Sequence, residues 1–262
     1  VGERIRISGG GRCNFTNIEV SPANYLSQNP HFCRSALAQY SQYDFIKLVE
    51  AYRIPYHEKT LGQLFCNTSA KDIISMLESE CDKAGVKWAQ PCNVARIQPA
   101  STGRHGFVLQ TSEGEFRGES LVIATGGLAA PALGATPFGY RVAEQFGLPV
   151  IAPKPALVPL ALPPESLDSL KPLAGLSFET ISNCGKNSPQ FREQALITHR
   201  GLSGPAILQI SSYWQMQDYS DGKRKAVTLN LLPGLDADDW LAQHRTRNTT
   251  LAALLSETLP KR

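Results

Sequence analysis

The segment Ser120-Leu-Val-Ile-Ala-Thr-Gly-Gly127 constrains the fold most. It is too uniformly apolar to alternate, so it predicts a strand buried on both faces, as in a parallel sheet. Open α/β sheets bind ligands outside the carboxyl ends of such strands, and two glycines leave a ligand room there. The plainer reading is an ordinary strand-to-loop turn. Three short runs precede the segment, at 93–98, 106–111 and 115–118, punctuated by Gly103 and Gly114. They predict a β-meander. A helix is expected over 139–146, closed by Gly147.

Upstream, Ile5 and Ile7 alternate with Arg4 and Arg6 before Gly9-Gly10-Gly11. That pattern predicts a strand over 4–8 and then a tight loop. The spacing of Leu37, Tyr40, Phe45, Leu48, Val49 and Tyr52 predicts one helix over 34–52. A second helix follows Ser69, with Asp72 as its capping-box partner, Ile73, Ile74, Leu77 and Cys81 as its apolar stripe, and Gly85 at its C-terminal cap. Six prolines fall within 149–164 and place a domain boundary near residue 153. Beyond it, strand-like segments at 177–183, 195–198 and 226–232 surround a helix at 204–214 and a helical tail at 237–259. The expected class is α/β, with a first domain over 1–153 and a mostly β domain with helices over 154–262.

Charge excludes little. Residues 1–150 hold 14 basic and 13 acidic side chains, and 151–262 hold 12 and 10, so neither half has a strong basic field. No apolar run approaches the roughly 18 residues of a membrane span. Six cysteines without C-x-x-C spacing read as reduced thiols of a cytoplasmic protein. Starting at Val1 on a strand-like run and stopping just after an apolar helical pattern, the chain reads as a fragment.

Two further motifs carry chemistry. In Ser8-Gly9-Gly10-Gly11-Arg12-Cys13-Asn14, three glycines let a ligand approach the backbone and aim N–H groups at phosphate or ring oxygens. Arg12 can pair with a phosphate, and Asn14 can donate and accept. A merely flexible loop is the competing reading. In Thr198-His-Arg-Gly-Leu-Ser-Gly-Pro205, glycines turn the chain into a helix with Pro205 at its first position, beside His199 and Arg200. Here the competitor is a capped helix with an incidental histidine. Cys13 and Cys66 are the thiols of interest. His31, His57, His105 and His244 are scattered, and no metal site is expected.

On these motifs the sequence resembles the YhiN-type, BaiN-like flavoproteins, which are FAD-dependent oxidoreductases. The resemblance rests on Ile7 to Asn17, Gly62-Gln-Leu-Phe65, Leu121 to Leu128, Gly139 to Gly147, Pro155 to Pro159 and Thr198 to Ala206, in family order. It implies a Rossmann-like FAD-binding domain, partial and containing the meander, with the mostly β domain as an insert. It implies FAD contacts from Ser8, Gly9, Gly10, Gly11, Arg12, Cys13, Asn14, Thr125, Gly126 and Gly127, with Val94 meeting the adenine through its backbone. NAD(P)H is the implied electron donor.

The family's opening G-x-G-x-x-G unit and closing glycine-rich segment have no counterpart here, so the chain alone is expected to hold FAD weakly or not at all. For the YhiN-like branch the implied reaction is reduction of a uridine in large-subunit (23S) ribosomal RNA to dihydrouridine, with Cys66 or His199 supplying a proton. Phe15, Phe65 or Trp214 would stack the splayed base. The alternatives are a flavin oxidoreductase acting on a small-molecule ketone or amine, and an inactive fragment.

Overall fold

A computed structural model describes residues 1–100, 106–186, 188–217 and 224–259. Gly103 and His105 lie outside the described residues. The chain divides into two compact units, Val1–Ile151 and Ala152–Arg262.

The first unit begins with helix α1 (Glu3–Ile7), where a strand was expected. A lone strand leaves its backbone groups unpaired, whereas one helical turn satisfies some of its own. The turn also packs Ile5 against the core and pairs Arg6 with Glu3 at 2.6 Å. A tight turn at Ser8–Gly11 leads to β1 (Asn14–Asn17). Then come α2 (Arg34–Gln39), α3 (Gln42–Ala51), β2 (Tyr56–Glu58), β3 (Gln63–Cys66) and α4 (Ala70–Lys83). The single helix expected over 34–52 is broken because Ser41 and Asp44 form a capping box that starts α3 afresh.

The three strands form an antiparallel sheet in the order β1-β3-β2. Against it α3 and α4 bury Val49, Ile54, Ala70, Ile73 and Met76 together with Cys13 and Cys66. The Ser69 hydroxyl accepts from Lys71 N–H at 3.2 Å, and the Asp72 carboxylate accepts from Ser69 N–H at 3.4 Å. Ser69→Ala should therefore lower stability by about 1 kcal/mol in urea denaturation, with an unchanged denaturant slope.

The meander is present: β4 (Val94–Pro99), β5 (Phe107–Thr111) and β6 (Gly114–Gly118) pair in that order. The expected parallel strand over 120–125 is not formed, and every sheet among the described residues is antiparallel. No described strand runs beside that segment to take its backbone hydrogen bonds, and Val122 is 81% exposed. Helix α5 (Phe138–Gln145) follows and stops at Gly147 in the left-handed region.

The second unit is a five-stranded antiparallel sheet, ordered β11-β8-β9-β10-β7. Its strands are β7 (Leu160–Ala161), β8 (Ser177–Asn183), β9 (Phe191–Thr198), β10 (Gly201–Ser203) and β11 (Thr228–Asn230). Helix α6 (Pro164–Leu170) precedes β8. Helix α7 (Pro205–Met216) lies on β8 and β9 and buries Ala206, Ile207 and Ile210 with Ala195 and Ile197 of the sheet.

Buried hydroxyls lock this packing. Ser211 and Ser212 accept from the N–H groups of Val158 and Leu157 at 2.9 and 3.0 Å, and Ser182 donates to the Ala206 carbonyl at 2.9 Å. The expected tail splits into α8 (Ala237–His244), capped by Asp236, and α9 (Leu251–Thr258), capped by Thr250. Among the described residues no helix is long and apolar enough to cross a membrane.

Candidate cofactor and substrate site

Four residues within five positions take left-handed backbone angles: Gly9 (φ 55), Gly10 (φ 68), Gly11 (φ 85) and Cys13 (φ 52). This reverses the chain between α1 and β1. The Ser8 hydroxyl donates to the Ile5 carbonyl at 2.8 Å, and Cys13 N–H donates to the Ser8 carbonyl at 3.1 Å, closing the turn. The first two glycines serve different ends. A Cβ on Gly9 would lie 2.7 Å from Phe65 Cε1 and 2.8 Å from the Asn14 nitrogen, so Gly9 is required by packing. A Cβ on Gly10 would meet nothing within 4 Å, so Gly10 faces open space.

Arg12 is exposed beside this opening, and its guanidinium makes no ion pair among the described residues. Its carbonyl is engaged, accepting from Cys66 N–H at 3.0 Å. With its amide turned to satisfy its neighbours, Asn14 donates to the Leu64 and Thr16 carbonyls at 3.1 and 3.0 Å. Cys13, in the turn, and Cys66, at the end of β3, are both buried. Burial, then the neighbouring Cys13 and Asp72, push the Cys66 thiol up to about 11, so it stays protonated at neutral pH.

The Thr125-Gly126-Gly127 turn meets the glycine turn's own helix. Arg4, in α1, donates from Nη2 to the Gly127 carbonyl at 3.1 Å. Gly126 (φ 72) lies so close that a Cβ there would sit 2.6 Å from Arg4 Nη1. Gly139, in the first turn of α5, lets that helix approach Thr125: a Cβ there would be 3.2 Å from Thr125 Oγ1. Arg4 went unnoticed in the sequence because its alternation with isoleucine reads as a strand, and no motif marks it.

Val94 opens β4 opposite Thr111, half-buried on the separate meander sheet. His199 belongs to the second unit. It is exposed at the tip of the β9–β10 hairpin, where Arg200 N–H donates to Thr198 Oγ1 at 3.3 Å. Gly204 and Pro205 begin α7 as the spacing implies. Among the described residues no group of three or more histidines, cysteines or carboxylates is placed to hold a metal.

The donor set is compatible with an anionic cofactor group: successive left-handed backbone angles, an exposed cation with no ion pair among the described residues, and open space over Gly10. The family model described as "HI0933-like protein Rossmann domain" matches residues 1–246. The chain belongs to this family. It is 49% identical over its whole length to the ribosomal RNA dihydrouridine synthase of Escherichia coli K12 and 48% identical to the enzyme of that name from Haemophilus influenzae. It is 25% identical, over 90% of its length, to a 3-dehydro-bile acid delta(4,6)-reductase of Clostridium scindens. The chain spans 63%, 64% and 57% of these three relatives. The HI0933-like assignment establishes the Rossmann-type α/β class, even though the described sheets of this segment are antiparallel.

Proposed function

We propose that this chain is part of an FAD-dependent oxidoreductase that reduces a uridine of 23S ribosomal RNA to dihydrouridine, with NAD(P)H as electron donor. The observation that carries the reading is Arg4 joining the helix of the Ser8–Gly11 turn to the Gly127 carbonyl, so that both glycine turns serve one cradle. The near-half identity to two proteins named ribosomal RNA dihydrouridine synthase supports the substrate.

In this reading Ser8, Gly9, Gly10, Gly11, Arg12, Cys13 and Asn14 hold the cofactor from one side and Thr125, Gly126 and Gly127 from the other, with the Val94 backbone toward the adenine. Bound FAD supplies hydride chemistry. The chain's part is to neutralise phosphate through Arg12, fix the two turns through Arg4, and deliver a proton to the uracil C5. The candidate proton donors are Cys66, whose thiol has no exposed surface, and His199, which is exposed on the second unit. A second reading, reduction of a small-molecule ketone or amine, draws on the bile-acid reductase relative.

Deleting the parent gene should remove one dihydrouridine from 23S ribosomal RNA, read by mass spectrometry of the digested RNA. The intact parent should restore it, and Arg12→Ala or Asn14→Ala parents should not. Unchanged dihydrouridine in the deletion strain would defeat the reading. Turnover of a free ketone without RNA would favour the second.

A further inference from the structure

A base drawn out of folded RNA needs a flat surface to lie on. The three aromatic residues that the sequence offers for this do not present one. Phe15 packs against Phe45 and Tyr56, Phe65 is 8% exposed beneath its neighbours, and Trp214 is covered by the Arg224 guanidinium 3.8 Å from its ring centre. A different ring does. His57 stands opposite Phe65 across the β2–β3 pair, exposed, with its imidazole stacked on the Phe65 ring at 6.3 Å between centres and 23° between planes.

Two contacts set this ring up as a platform. The hydrogen bond between Asn67 Oδ1 and His57 Nδ1, 2.7 Å, fixes the rotation of an exposed ring. Phe65 backs one face, and its ring edge lies where a Cβ on Gly9 would collide with it, so the platform adjoins the candidate cofactor site. Lys59 is exposed with its ammonium 5.2 Å from the centre of the Phe65 ring. The nearest carboxylate in sequence, Glu58, is turned onto the backbone, where it accepts from Gly62 N–H at 3.1 Å.

We infer that His57, backed by Phe65 and held by Asn67, is a stacking platform for an unpaired nucleobase of RNA, with Lys59 meeting the adjoining phosphate. The inference rests on the proposed function and supplies the substrate-side surface that it lacks. An aromatic stack continued by a base tolerates any base, so this element binds the strand without choosing the uridine.

Fluorescence anisotropy with a fluorescein-labelled decauridylate tests it on the chain as it stands. His57→Ala should weaken binding roughly tenfold to a hundredfold. His57→Phe, which keeps a flat ring, should stay within about threefold of the unsubstituted chain. Lys59→Ala should reduce the slope of log affinity against log salt by about 0.7, the loss of one phosphate contact on a single strand. Equal binding by the His57→Ala variant, binding by His57→Phe as weak as by His57→Ala, or no decauridylate binding by the unsubstituted chain would overturn the platform. Failure of the proposed reaction is read elsewhere, as dihydrouridine that persists in the deletion strain.

Discussion

Gly201→Ala is expected to unfold the second unit selectively. Gly201 is buried between β9 and β7, pairs with both Thr198 and Ala161, and has φ 143. A Cβ there would collide with the Leu160 carbonyl oxygen and lie 3.0 Å from Leu162 N and 3.1 Å from Ala161 Cα. All three are backbone atoms of β7 or of the residue that follows it, so no side chain can swing away. The strand must separate or the pairing must break. Strain at this φ costs about 2 kcal/mol and the overpacking about 2 more, giving a loss of roughly 4 kcal/mol. Gly204→Ala should approach that, since its Cβ would fall 2.7 Å from the Gln194 carbonyl oxygen and 2.9 Å from Leu196 N.

Hydrogen exchange reads both effects: the β8 and β9 amides should lose most of their protection while the α4 amides keep theirs. Unchanged protection in β8 and β9 would refute the packing argument. These two glycines are accordingly explained by close backbone approach, and the exposed polar side chains left in Thr198–Pro205 are those of His199 and Arg200.

Some of this architecture is written locally. The α4 helix announces itself through Ser69, Asp72 and the Ile73–Leu77 spacing, and α7 through Gly204-Pro205, because caps and periodicity act within one turn. The meander is equally local, since adjacent strands pair through short turns. Features settled by distant partners are not. Four residues of Arg-Ile alternation fit a strand or a helical turn equally, and only the packing of α1 on α4 decides for the helix. The 120–125 run has strand composition, but composition supplies no neighbouring strand.

The site divides the same way. The glycine turn is legible because φ above zero selects glycine. The Arg4 bond to Gly127, across 123 positions, and the stacking of His57 on Phe65, which needs the β2–β3 register, have no signature in the sequence.

Within the glycine turn, Gly9→Ala and Gly10→Ala should part company. The two residues share nearly the same backbone angles, φ 55 and φ 68, so the cost of placing a Cβ in the left-handed region is similar, roughly 1 kcal/mol each. Only Gly9 adds a collision. Its Cβ would meet both the Phe65 ring and the Asn14 backbone nitrogen below 3 Å, and Asn14 is tied into β1. Relief requires Phe65 to move off β3 or the turn to open, bringing the total to about 3 kcal/mol in urea denaturation. Gly10→Ala adds no contact and should cost no more than its backbone strain.

The order reverses for the ligand. A methyl at Gly10 projects into the open space above the turn, so titration of the intact parent with FAD, followed by flavin fluorescence, should show Gly10→Ala binding at least about tenfold more weakly while the protein stays folded. Were Gly10→Ala to bind FAD as tightly as the unsubstituted protein, the open side of the turn would not be where the cofactor lies, and the cradle joined by Arg4 would need another occupant.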